Sequence, residues 1–351
     1  MGCCSSVSEL NPQALHYKIR KSMESGTVFN LDYYIRICAK LQNESFNIDR
    51  FIIKDQENNN ITFLALAFLY GRLDVVRWLE EKYNASFREM EKYLLKHETS
   101  GLQILAENGH TKLFEYYAPI YFTFKHELLD LSRHTPKDTM TLDLSEISKD
   151  FLRLHPEAKL TPIQYACING HYSIMQLCIS YNQNHNPVQE FDINTIEQKY
   201  GFNCALLSCK LCNFNMIKFL HTKCQADFHH LNNNKESSIQ ILISESNRAG
   251  KPEYFNCLLY LIESIKVDVT YNYEETLILL EENPAFDYIL GKLREKGLSL
   301  PKDFVKEHIW KAGKVRKNLG IAEYLERPLT DMLQELKNDE ISSITFSNSS
   351  N

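Results

Sequence analysis

Apolar residues recur along most of this chain in short helical runs that are separated by small-residue turns. Four segments share one frame: TFLALAFLYGRLDVVRWLEEKYNA from Thr62, SGLQILAENGHTKLFEYYA from Ser100, TPIQYACINGHYSIMQLCIS from Thr161, and NCALLSCKLCNFNMIKFLHTKCQAD from Asn203. A weaker fifth, SSIQILISESNRAGKPEYFNCLLYLIES, begins near Ser237. In each of the four, a small or polar residue opens a first apolar helix. Nine positions on comes Gly71, Gly109, Gly170 or the replacement Cys212, and a second apolar helix follows. The opener caps the first helix by accepting bonds from its unpaired N–H groups. Pro162 suits the first turn, where a missing N–H costs nothing. The glycine takes positive φ without a Cβ clash and turns the chain into the second helix. A single pair of this kind cannot bury its apolar face, so neighbouring pairs must stack.

The third segment, Thr161 to His171, is similar to the ankyrin repeat signature T-P-L-H-x-A-A-x-x-G-H. Thr161, Pro162, Ala166, Gly170 and His171 stand where that family expects them, with Ile163 for the usual Leu and Gln164 for the usual His. The second segment keeps Ala106, Gly109 and His110 but has Gly101 for the Pro. The first keeps Thr62, Leu64, Ala67 and Gly71, and the fourth has lost both Thr and Gly. Opener spacings of 38, 61, 42 and about 34 residues surround the family's ~33, so the chain resembles a degenerate ankyrin array with insertions. The segments span somewhat over half of the chain. The fold expected is all-α, an ankyrin-type helical solenoid with a helical C-terminal extension.

Around the repeats (59–270), residues 1–30 read as a polar lead with a helix from Pro12 to Ser22. Residues 31–58 read as a helical N-terminal cap, with a helix from Asn30 to Gln42 capped by Asn30. The long second spacing leaves an insertion at 119–159, with a helix after Ser145. Beyond Thr270 the frame is lost. Helices are expected in 271–340, near Glu274–Glu282, Ala285–Lys296, Lys302–Leu325 and Leu329–Lys337, before a disordered tail at 341–351.

Composition narrows the function classes. The net charge of -6 gives no electrostatic case for nucleic acid. Ten scattered cysteines fit a reducing compartment better than a disulfide scaffold. No apolar run approaches the ~20 residues that span a bilayer, and the start MGCCSSVSEL lacks the basic and apolar regions of a secretory signal.

That start does fit the acylation pattern M-G-x-x-x-[ST], with Gly2 for myristate, Ser6 in the required place, and Cys3 and Cys4 placed for palmitate. Two acyl chains make membrane residence durable where one does not. Other clusters have blander explanations. Cys204, Cys209, Cys212 and Cys224, near His221, His229 and His230, suggest zinc, but the repeat frame already places the first three in the first helix and turn of the fourth segment. Cys167 and His171 both hold ordinary repeat positions. Glu80/Glu81 and Glu281/Glu282 read as solvated helix faces, as does the basic stretch Lys311–Lys317 after Trp310.

The resemblance implies protein partners, no cofactor, and contacts from the loops before each repeat. The candidates are Gln56 and Asn60, Glu98, Lys159, and Lys199 with Tyr200. The expectation is a cytoplasmic interaction scaffold, tethered at the cytosolic face of a membrane. The Asn/Lys/Ile-rich style also resembles ankyrin-containing effectors of intracellular bacteria such as Legionella, which are delivered to the host cytosol. The alternative is an enzyme whose C-terminal helical region is catalytic while the repeats recruit substrate.

Overall fold

The computed structural model describes residues 12–41, 46–54, 60–132, 145–249, 253–280, 283 and 285–298. The described residues are mostly helical, with one two-stranded antiparallel ribbon. The chain divides into two compact units, Met1–Leu207 with Thr222–Ala226, and Ser208–His221 with Asp227–Asn351.

The first unit opens with α1 (Pro12–Ser25) and α2 (Val28–Leu41). Gly26 reverses the chain between them at φ +69°. Asn30 therefore sits in the first turn of α2 and does not cap it. Leu15, Ile19 and Met23 of α1 and Leu31, Ile35 and Cys38 of α2 are buried. This pair has the same helix–glycine–helix order as the repeats, which the sequence frame did not reveal. A ribbon of β1 (Ile52–Lys54) and β2 (Asn60–Thr62) follows, pairing Ile53 with Ile61.

The segment from Thr62 forms the helix pair α3 (Phe63–Leu69) and α4 (Leu73–Tyr83). Thr62 Oγ1 accepts from Ala65 N at 3.2 Å, capping a helix whose first six residues are all buried. The unexpected helix α5 (Phe87–Leu95) comes next, capped by Ser86 and burying Phe87, Met90 and Leu94 along one stripe. It accounts for the stretched first spacing. The segment from Ser100 forms α6 (Gly101–Asn108), capped by Ser100, and α7 (Thr111–Ser132). α7 runs straight through Pro119, so the opening of the expected insertion is helix continued from the repeat. The insertion holds α8 (Glu146–Leu154), the helix expected after Ser145, and Ser145 caps it. The segment from Thr161 forms α9 (Pro162–Ile168) and α10 (Tyr172–Asn184). Within this unit α3 packs on α6 and α6 on α9, while α10 packs on α7.

The next pair is α11 (Cys204–Lys210) and α12 (Phe214–Cys224). Asn203 Oδ1 accepts from Leu206 N at 2.9 Å, so the opener that lost its Thr still caps. Cys212 takes the glycine's turn at φ +51°.

In the second unit, α13 (Ser238–Ala249) is capped by Ser237, and Gln240 Oε1 accepts from Ser237 N at 3.0 Å. α14 (Tyr254–Tyr260) continues into a π-helical stretch, Leu261–Ile265. α15 (Tyr273–Leu279) packs on α13 and on α16 (Phe286–Glu295). Helix pairing thus persists past Thr270, where the apolar frame is broken by Glu274 and Glu275. Lys210 and Arg248 close on the buried Glu245 carboxylate. Burial alone would raise its pKa, and these two cations hold it below the usual range. The helices expected beyond residue 300 and the tail at 341–351 lie outside the described residues.

Candidate functional site

Two histidines fix how successive pairs of the first unit meet. His110 Nε2 lies 2.8 Å from Leu69 O, and His171 Nε2 lies 3.0 Å from Glu107 O. Each ring donates backward to the last turn of the preceding first helix. The glycines make room for these rings. A Cβ on Gly71 would lie 2.3 Å from His110 Nδ1, and one on Gly109 would lie 2.6 Å from His171 Cε1. Gly26 faces Arg72 in the same way. Burial lowers the pKa of His110, so it binds as the neutral ring.

Two buried glutamates support the loops around these interlocks. Glu91 on α5 is fully buried, and its Oε1 accepts from Gly101 N and from Tyr117 Oη, both at 2.7 Å. A Cβ on Gly101 would sit 2.7 Å from that oxygen, which explains why glycine replaces the expected proline. Burial pushes the Glu91 pKa up to about 7. Glu107 on α6 accepts from Ser145 N (2.8 Å), Ser148 Oγ (2.7 Å) and Asn169 Nδ2 (3.0 Å). It thereby fastens α8 against α9.

A cleft of about 500 Å³ opens in the first unit where the loops before α6 and α9 face each other. Glu98, Thr99, Ser100 and Gln103 form one wall, Lys159, Thr161, Pro162 and Tyr165 the other, and Tyr121 and Glu190 also line it. Two of the predicted loop contacts meet here. Lys159 Nζ lies 3.4 Å from Glu98 Oε1, with 71% of the lysine side chain and 45% of the glutamate side chain exposed. Gln103 Nε2 spans the walls to Leu160 O at 2.8 Å. Gln164, three residues past its own opener as Gln103 is, reaches Phe202 O at 3.1 Å and Thr195 O at 2.9 Å. These glutamines are therefore structural ties, a role the sequence hinted at only by their equal spacing. Lys125 forms an ion pair with Glu190.

The other predicted contacts do not line this cleft. Lys199 and Tyr200 sit on a loop organised by buried Glu197, which accepts from Lys199 N at 2.8 Å and Tyr200 N at 2.7 Å. Lys199 Nζ pairs with Glu157 at 2.6 Å, and the Tyr200 ring meets His155 at 4.6 Å. Asn60 lies on β2, where its carbonyl accepts from Tyr93 Oη. Gln56 lies outside the described residues, as do Gly2, Cys3 and Cys4. Tyr121 and Glu190 were not foreseen. Tyr121 belongs to the helical run past Pro119 that looked like insertion, and Glu190 to a 3-10 turn with no periodic signal.

The cysteines behave as core residues. Cys204, Cys209 and Cys212 are buried, and Cys167 Sγ donates to Cys204 O at 3.5 Å. Among the described residues, no group of three or more His, Cys, Asp or Glu is placed to hold a metal ion. Among the same residues no helix is long and apolar enough to cross a membrane.

No family model matches the chain, and no curated protein matches it. Among solved structures it is similar to a chain from the Bd0816 predatory endopeptidase of Bdellovibrio bacteriovorus in complex with immunity protein Bd3460. The identity is 14% and the TM-score 0.39, over 68% of this chain and 97% of that one.

Proposed function

We propose that the first unit is a degenerate ankyrin-type stack that works as a protein-interaction scaffold, held at a membrane surface by acylation at Gly2, Cys3 and Cys4. The observation that carries the stack is the repeated glycine–histidine interlock, Gly71 with His110 and Gly109 with His171. It ties the first helix of one pair to the turn of the next, and it falls on the residues that carry the sequence resemblance. The binding half rests on the cleft, which lies at the repeat openers where the resemblance implies partner contacts. For the membrane half, α2 presents Phe29 (85% exposed) and Tyr33 (48% exposed) in line with exposed Arg36 and Lys40. Such a stripe suits the interface, with aromatic rings at the headgroups and cations beside anionic lipid. No step of this reading requires catalysis or a cofactor.

The test is affinity capture from a eukaryotic cytosol, using the full chain beside a Tyr165→Ala/Lys159→Ala variant of unchanged Tm. A protein retained stoichiometrically by the wild type and lost from the variant supports the scaffold. Equal retention of every protein by both forms refutes the use of this cleft.

A further inference from the structure

The cleft between the second and third repeat openers has more hydrogen-bond acceptors than its own residues use. Glu190 Oε2 is buried and has no partner among the described residues, although Lys125 engages the other carboxylate oxygen. Gln103 donates through Nε2 to Leu160 O, and its Oε1 has no partner among the described residues. Tyr121 and Tyr165 line the same space, and neither hydroxyl has a hydrogen bond among the described residues. The cation on the wall, Lys159, is mostly exposed and leans across the mouth to Glu98. Such surface pairs contribute little and yield readily to a competitor. The site thus offers two carboxylates, an amide oxygen, two phenols and two aromatic rings, and the two ammonium groups there, Lys125 and Lys159, leave Glu190 Oε2, Gln103 Oε1 and both phenols unanswered among the described residues.

We propose that this cleft receives the side chain of an arginine presented by the partner protein. A guanidinium brings five N–H donors in one plane and no acceptor, so it answers several unused oxygens at once. Its flat face stacks on tyrosine, which an ammonium does less well. Glu190 takes the charge inside the cleft, and Glu98 takes it at the mouth once Lys159 swings into solvent. Leu95, Leu102 and Pro162 cover the methylene stem. The inference rests on the scaffold reading, because it assigns the residue by which the partner is held.

The test is calorimetric titration of the full chain with an acetylated, amidated Gly-Arg-Gly peptide, beside peptides carrying lysine or citrulline at the centre. Citrulline keeps the shape and loses the charge. The arginine peptide saturates with a Kd on the order of 1 mM, and citrulline binds about tenfold more weakly or worse. Glu190→Gln weakens the arginine peptide about tenfold. Tyr165→Phe, which keeps the ring, weakens it less. If Glu190→Gln lowers Tm, Glu98→Gln at the exposed mouth serves in its place. Absence of saturation overturns the assignment, as does citrulline or lysine binding as tightly as arginine. If the capture experiment identifies a cleft-dependent protein while the arginine peptide fails, only this inference falls. If no protein is captured, the scaffold reading falls, whatever the peptide does.

Discussion

Glu91 shows how one residue sets the chemistry of its surroundings. No cation faces it among the described residues, and burial holds its carboxyl protonated until about pH 7. The unfolded chain gives up that proton near pH 4.5. Between these values the folded state binds more protons, so this group's stabilising share is complete below about pH 4.5. That share is lost as the pH rises through about 7, and amounts to about 3 kcal/mol. Urea unfolding from pH 5 to 8 should show wild type losing stability relative to Glu91→Gln across this window. A constant difference between the two would show that Glu91 titrates normally. No local pattern in EMEKYLL sets this glutamate apart from its exposed neighbour Glu89. Only the packing of Tyr117 and Gly101 around it reveals a buried acid.

At the scale of elements, the connection between α6 and α7 depends on Gly109 for two reasons. Its φ of +73° costs a side-chain-bearing residue about 1–2 kcal/mol, and its missing Cβ admits the His171 ring. Gly109→Ala should therefore lower stability by at least about 2 kcal/mol, read from the urea midpoint. Adding His171→Ala should return only the steric part. If the double variant is fully additive, the ring and the turn are uncoupled. This glycine and histidine were legible in the sequence, as were the openers Thr62, Ser100 and Asn203 and the helix after Ser145, because local backbone chemistry dictates them. α5 and the helical run past Pro119 were not. Their apolar faces are completed by distant partners, such as Phe68 for Phe87 and Phe191 for Phe122, and no local period announces such contacts. Of the cleft, Glu98 and Lys159 could be named from their place before an opener. Tyr121, Tyr165 and Glu190 meet only through the stacking itself.

For the whole molecule, the acylation motif is the feature that would decide where the chain works. Gly2→Ala removes the myristoyl acceptor, and without it palmitate at Cys3 and Cys4 lacks the first anchor that brings it to a membrane. In fractionated eukaryotic cells, wild type should pellet with membranes and the variant should move to the soluble fraction. An unchanged distribution would rule out the tether. The same logic of separable parts reaches into the repeats. Because each interlock joins a glycine to the residue after the next repeat's glycine, the interchangeable unit is not the helix pair. The segments that carry a matched glycine and ring run from Gly71 to His110 and from Gly109 to His171. A chimera that keeps such a segment whole would keep each ring beside the turn built to admit it, whereas one that supplies the turn from the pair with Cys212 would set a histidine against a Cβ.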